Sequence, residues 1–313
     1  MTDVTSTTAD ALCTSEGIDS TRPSVGPALY VGTVLPHHAT HLTRDGFPLA
    51  VQDLPGAASP TKAQLDVSPS DTDAGPPALL LLPGQANSHR WWDHVRTGYA
   101  QTHRTVTFDY RGTGGSHGEL GPWTTALFAQ DAVDVLDHLG IRSAAVFGTS
   151  MGGRVAQMLA ANHPDRVSAL VLGCTSPGGE HAMERKKETR QWLARGTGEE
   201  QRSKLHELFY TPDWPGTSAE STLLGDPTMT PREQVCHRRA SDRHDAWDAL
   251  PSIATPTLVL HGTEDLMVPA ENAALIADRI PDARMVLYPG GRHGFFEELE
   301  DRVTAEIQRF LAF

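Results

Sequence analysis

Three residue types scattered through this 313-residue chain could together perform nucleophilic catalysis: a serine, a carboxylate and a histidine. A serine hydroxyl is a poor nucleophile near neutral pH unless a histidine takes its proton and an acid orients that histidine. Ser150 stands between glycines in GTSMGG, Asp265 lies in LVLHGTEDLMVP, and His293 lies in LYPGGRHGFFEE. The order is Ser, Asp, His, with separations of 115 and 28 positions. Of fifteen histidines, His293 is the only one that follows Asp265. Glu264 competes for the role of acid, and Asp265, three residues after Gly262, is preferred. The segment after Gly173, CTSPGG, offers no acid at all.

The GxSxG pattern occurs twice, at Ser150 and at Ser116 in GGSHG, so a physical criterion has to choose. A nucleophile elbow needs a buried strand, a tight turn with small flanking residues, and a helix that starts at the serine. Ala144 to Phe147 reads as a short buried strand, and Arg154 to Asn162 carries Val155, Met158 and Leu159 at helical spacing. Ser116 instead leads into Glu119, Leu120, Gly121 and Pro122, which is loop sequence. The chemistry also needs donors for a developing negative oxygen. Two backbone amides qualify: Met151, next to the nucleophile at the head of its helix, and Gln85, after the apolar run LLLLPG.

Such residues meet only if ordered elements bring them to one edge. From about residue 39 the sequence alternates strand-like and helix-like pieces, which predicts α/β architecture, a mostly parallel sheet with helices on both faces. THLT and PLAVQDL flank a turn at residues 44–47 and read as an antiparallel hairpin, followed by a floppy connection from Pro55 to Pro77. Strands are expected at Ala78 to Leu82, Thr105 to Asp109, Ala169 to Gly173, Thr257 to His261 and Arg284 to Tyr288. Helices are expected near Thr124 to Leu139 and over Glu298 to Phe310, with Trp91 and Trp92 starting another. Between Cys174 and Asp245 the alternation gives way to charged helical sequence, including EHAMERKKETRQWLAR, which reads as an inserted cap. Its charge run Glu184 to Arg190 reads as a solvated helix face, and Trp192, Phe209, Tyr210 and Trp214 as cap core with one or two facing a ligand.

Composition excludes several classes of function. Lys plus Arg total 26 and Asp plus Glu 39, a formal charge of −13 that repels a phosphate backbone, so nucleic acid is not an expected partner. Cys13, Cys174 and Cys236 are odd in number and lack CxxC spacing, which argues against a disulfide framework or zinc knuckle and makes the cytoplasm the default. Residues 1–28, rich in Thr, Ser and Asp, read as a disordered tail with no export signal. The longest strongly apolar stretch, Ala78 to Leu82, is too short to cross a bilayer. His37, His38 and His41 sit together without a Cys, Asp or Glu to complete a metal-ligand pattern, so no metal is expected.

Taken in order, LLLLPGQ, FDYRGTGGS, GTSMGG, LVLHGTEDLMVP and GRHGFFEE resemble the α/β-hydrolase superfamily over residues 41–313. The resemblance implies an eight-stranded sheet, a helical cap inserted after the sixth strand, hydrolysis without a cofactor, and a structural role for Ser116. It divides the chain into a tail at 1–28, a hydrolase core at 29–175 and 246–313, and a helical cap at 176–245. One departure is PG before Gln85, where many relatives have HG. A serine at 150 argues against the dehalogenase and epoxide hydrolase branches, whose nucleophile is a carboxylate. The sequence around the cap is most similar to enol-lactonases and small carboxylesterases.

The expected reaction is therefore cleavage of a small-molecule ester or lactone through an acyl-enzyme. Ser150 would be nucleophile, His293 base, Asp265 its orienting acid, and the Gln85 and Met151 amides the oxyanion hole. The same residues would serve carbon-carbon bond hydrolysis, acyl transfer or peracid formation, or a slow-turnover ligand sensor. Substrate identity and oligomeric state are left open by the sequence.

Overall fold

The computed structural model describes residues 37–56, 76–195 and 197–312. The tail expected at 1–28 and residues 57–75 of the Pro-rich connection lie outside the described residues. β1 (His37–Leu42) and β2 (Pro48–Leu54) form the hairpin, followed by β3 (Ala78–Leu82), α1 (Arg96–Ala100), β4 (Arg104–Phe108) and α2 (Thr125–His138). Next come β5 (Ala144–Thr149), α3 (Met151–Asn162) and β6 (Val167–Gly173). The segment that follows carries α4 (Lys187–Ala194), α5 (Glu199–Phe209) and α6 (Pro231–Asp242) before β7 (Thr257–Gly262). α7 (Glu271–Ala277), β8 (Ala283–Tyr288), α8 (Phe295–Glu298) and α9 (Glu300–Leu311) complete the described chain.

The eight strands form one sheet in the order β1-β2-β4-β3-β5-β6-β7-β8. β1 and β2 pair antiparallel, as do β2 and β4, and every other neighbour pair is parallel. β3 is apolar along its whole length, and β5 nearly so, because both faces are covered. In β3, Leu79 and Leu81 pack on the face carrying Trp91, Trp92, Tyr99 of α1 and Val303 and Ile307 of α9. Leu80 and Leu82 point the other way, toward Phe128 and Leu136 of α2 and Val155 and Leu159 of α3. The mostly parallel α/β sheet expected from the sequence is the one observed.

Two helix boundaries differ from the sequence reading. The charged stretch after Gly179 does not become helical until Lys187. Gly178 and Gly179, with φ of 72° and 64°, turn the chain against His244 and Asp245 instead, where a bridge joins Gly178 to Asp245. A Cβ on Gly178 would sit 2.0 Å from the His244 carbonyl oxygen, so only glycine allows this approach. The last helix is broken at Leu299 into α8 and α9. Among the described residues, no helix is long and apolar enough to cross a membrane.

Candidate active site

β5 delivers Ser150 to the carboxyl edge of the sheet, and α3 begins at the next residue. The turn between them is tight enough that both flanking glycines are required. A Cβ on Gly148 would lie 2.2 Å from the Gly152 oxygen, and one on Gly152 would lie 2.0 Å from the Leu82 oxygen. Ser150 itself adopts φ 53°, a region that side-chain-bearing residues rarely occupy, at a cost of about 1–3 kcal/mol. Neighbours fix this conformation: the Ser150 amide donates to Gly173 O at 2.9 Å, and its carbonyl accepts from Thr175 Oγ1 at 2.7 Å. Beneath it, Trp91 Nε1 donates to Thr149 Oγ1 at 2.8 Å.

The other two candidates converge on that hydroxyl. His293 Nε2 lies 3.1 Å from Ser150 Oγ, and its Nδ1 lies 2.7 Å from Asp265 Oδ2. Asp265 Oδ1 accepts from the amides of Met267 and Val268 at 2.8 and 2.9 Å, while His261 Nε2 stands 3.3 Å from Oδ2. Burial opposes a charge on Asp265, but the imidazoles of His293 and His261 outweigh it and hold the carboxyl well below the usual carboxylate range. An ionised Asp265 accepts from Nδ1, which leaves the Nε2 lone pair facing the serine hydroxyl. Glu264, the rival acid, is exposed.

Both oxyanion candidates present free amides: among the described residues, neither Gln85 N nor Met151 N donates to a protein acceptor. The turn carrying Gln85 abuts the elbow, since the Pro83 oxygen is 2.6 Å from where a Gly152 Cβ would be. Its shape is held from outside. Asn87 Nδ2 donates to Gln85 O at 2.9 Å, the Ala86 amide donates to His237 Nδ1 at 3.2 Å, and the Asp226 amide donates to Ala86 O at 2.8 Å. His237 accepts that bond only when neutral, and burial pushes its pKa down to about 4. The proline of the PG departure therefore leaves the turn intact, with Gly84 flat against the Trp91 ring.

Sequence reasoning missed the supports that reach these residues from the segment between β6 and β7. The end of α5 holds the histidine loop: His293 N donates to Leu208 O at 3.3 Å, and Gly294 N donates to Phe209 O at 2.8 Å. The Phe209 ring meets the His293 imidazole edge-on at 4.8 Å, while Tyr210 stacks on Trp214 at 3.7 Å. No local pattern could have announced α5 as the histidine's neighbour. Ser116 is buried in its loop, where Oγ accepts from the Ala50 amide at 2.8 Å.

A cavity of about 400 Å³ opens beside Gln85, Met267 and Val268, on the same carboxyl edge where ligands of parallel α/β sheets bind. A larger one, about 670 Å³, lies at the opposite ends of β3, β5, β6, β7 and β8, away from the triad. Among the described residues, no group of three or more His, Cys, Asp or Glu could hold a metal ion. His37, His38 and His41 lie on the edge strand β1, where the His41 ring packs on His138 at 4.3 Å.

Comparison with known proteins bears on the family. The family model described as alpha/beta hydrolase fold matches residues 77–299. A protein of Caulobacter sp. (strain K31) named "Putative carbamate hydrolase RutD" is 31% identical over 245 residues, covering 75% of this chain and 90% of that one. A protein of the same name from Caulobacter vibrioides (strain NA1000 / CB15N) is 32% identical over 231 residues, 71% of this chain and 85% of its own. Among solved structures, the enol-lactonase from Burkholderia xenovorans LB400 superimposes with a TM-score of 0.72 at 22% identity, covering 88% of this chain and all of the other. A hydrolase from Pseudomonas aeruginosa PA01 gives a TM-score of 0.70 at 25% identity, covering 88% and 98% of the two chains. With an elbow serine facing a histidine and a buried carboxylate inside the matched region, the chain belongs to the α/β-hydrolase family.

Proposed function

We propose that the protein is a serine hydrolase that cleaves a small-molecule carboxylic ester or lactone through an acyl-enzyme. The observation that carries this reading is the continuous path from Ser150 Oγ through His293 to Asp265, with steps of 3.1 and 2.7 Å. His293 Nε2 takes the serine proton as Oγ attacks the carbonyl carbon, and Asp265 stabilises the resulting imidazolium. The oxygen that becomes negative accepts from the amides of Gln85 and Met151. His293 then hands its proton to the leaving alcohol, activates water against the acyl-serine, and the acid departs.

A carbamate is the second reading, favoured by the name of the relatives near 31% identity. Both use the same attack on a carbonyl but differ in the acyl group left on serine. A panel of 4-nitrophenyl esters, lactones and an aryl carbamate, run with the native protein and Ser150→Ala in parallel, separates them. The ester reading expects steady turnover of esters or lactones and faster turnover than of the carbamate; the reverse order moves the assignment. A fluorophosphonate probe should label the native protein and not Ser150→Ala, and equal labelling of the two would overturn the nucleophile.

A further inference from the structure

The cavity beside Gln85 is unusual in its charge. In a chain with a formal net charge of −13, its wall carries Arg154, Arg185, Arg190 and Arg238 against only two acids, Glu184 and Asp242. Glu184 is already engaged by Arg190 at 2.5 Å. Arg154, one turn along α3 from the serine, donates from Nη1 to Ser241 O and Oγ at 2.6 and 2.9 Å and from Nη2 to Ser176 Oγ at 2.9 Å. All of these acceptors are neutral. Arg185 spends only Nε, on Met267 O at 2.9 Å. Among the described residues, neither guanidinium forms an ion pair, and burial lowers the pKa of both, Arg154 to about 10, which keeps Arg154 charged near neutral pH.

Asp242 and Glu184 act on both guanidiniums through space, and Asp265 on Arg185, but none of them pairs directly with either. A desolvated cation lacking a direct partner is costly, and folds tolerate it where a ligand completes the pair. A third group points the same way. His244 is 3% exposed and lines the cavity; its Nδ1 meets Thr125 Oγ1 at 2.9 Å, and its buried Nε2 has no partner. Burial, reinforced by Arg154, pushes its pKa down to about 3, so it is a neutral ring within the cavity wall.

We infer that this cavity receives the carboxylate of an anionic substrate, held by Arg154 and Arg185 while the scissile carbonyl lies at Ser150. The inference rests on the hydrolase reading above and narrows it to esters or lactones that carry a free acid. A guanidinium fork matches a carboxylate in two parallel hydrogen bonds, whereas a neutral acyl chain gains nothing from it. The surrounding negative charge repels anions in general, so binding depends on this local wall.

The test compares mono-4-nitrophenyl glutarate with neutral 4-nitrophenyl butyrate, and follows the melting temperature with free glutarate. Native protein should favour the anionic ester in kcat/KM, mainly through KM, and glutarate should raise the melting temperature. Arg185→Gln should lower the anionic-to-neutral ratio by roughly tenfold or more and abolish the glutarate shift. Arg309→Gln, a surface charge on α9, should leave the ratio alone. No preference and no shift, or a preference untouched by Arg185→Gln, overturns the anion site. Glutarate binding lost in Arg185→Gln, with neither ester cleaved, would instead keep the site and sink the hydrolase reading.

Discussion

Replacing Asp265 by Asn tests whether orientation of the imidazole, rather than mere proximity, makes Ser150 reactive. The consequence follows from the bonds around the carboxylate. Oδ1 accepts from the amides of Met267 and Val268, so the asparagine oxygen takes that place and its NH₂ group turns toward His293 and His261. That NH₂ donates to Nδ1 and puts the imidazole hydrogen on Nε2, where it faces the serine as a donor and cannot accept. The opposite rotamer would set NH₂ against two backbone N–H groups and cost on the order of 2–6 kcal/mol in lost pairing. Only that opposed rotamer keeps the hydrogen on Nδ1 and the Nε2 lone pair on the serine, and its cost leaves it scarcely populated. The expected loss in kcat is roughly 10³ to 10⁴, or about 4–5.5 kcal/mol of barrier, with the fold retained. Initial rates on a 4-nitrophenyl ester at pH 7.5, with circular dichroism and melting as controls, measure it. Glu264→Gln should change kcat less than about twofold, since that side chain is exposed. A folded Asp265→Asn variant within about thirtyfold of native would refute the tautomer argument.

Gly152→Ala should be the most damaging small change at the elbow, because its methyl would overlap backbone at Leu82 and Pro83 and cannot be relieved by a side-chain rotation. A loss of about 1–3 kcal/mol or more, seen as a melting temperature lower by several degrees or as failure to accumulate folded protein, is expected, and native-like melting would contradict it. Stability should also fall in acid. His237 and His244 are neutral in the fold with pKa values near 4 and 3, below the ordinary 6.5, so the unfolded chain binds more protons between those limits. Stability contributed by each is present above pH 6.5 and declines as pH falls toward 4, by roughly 2 kcal/mol per histidine between pH 6.5 and 5. Urea melts at the two pH values, on native protein and His237→Phe, check it: the variant should lose less on acidification, and an unchanged slope would remove His237 from the account.

What the sequence made legible was the part encoded locally. β3, β5 and β7 announce themselves because strands covered on both faces are built around continuous apolar runs, and the elbow because Gly148 and Gly152 have no room for a side chain. Ser150 and Asp265 stand just past such strands and His293 just past the partly exposed edge strand β8, so their convergence on one edge could be read from order. What stayed hidden depends on distant contacts. His237 reaches Ala86 across 151 positions, and Arg185 reaches Met267 across 82. Arg185 was expected on a solvated helix face, yet the helix starts two residues later and the guanidinium turns into the cavity. Charge patterning could not foresee this, because the path of residues 178–186 includes a glycine turn fitted against the distant His244 and Asp245.

The attachment of α5 to the histidine loop is made by main-chain groups, Leu208 O and Phe209 O receiving the amides of residues 293 and 294. Peptide groups are common to every residue except proline, so most of the helix can exchange its side chains without letting go of the imidazole. Outward-facing side chains of α5 can therefore vary from one relative to the next while the imidazole keeps its place beside Ser150.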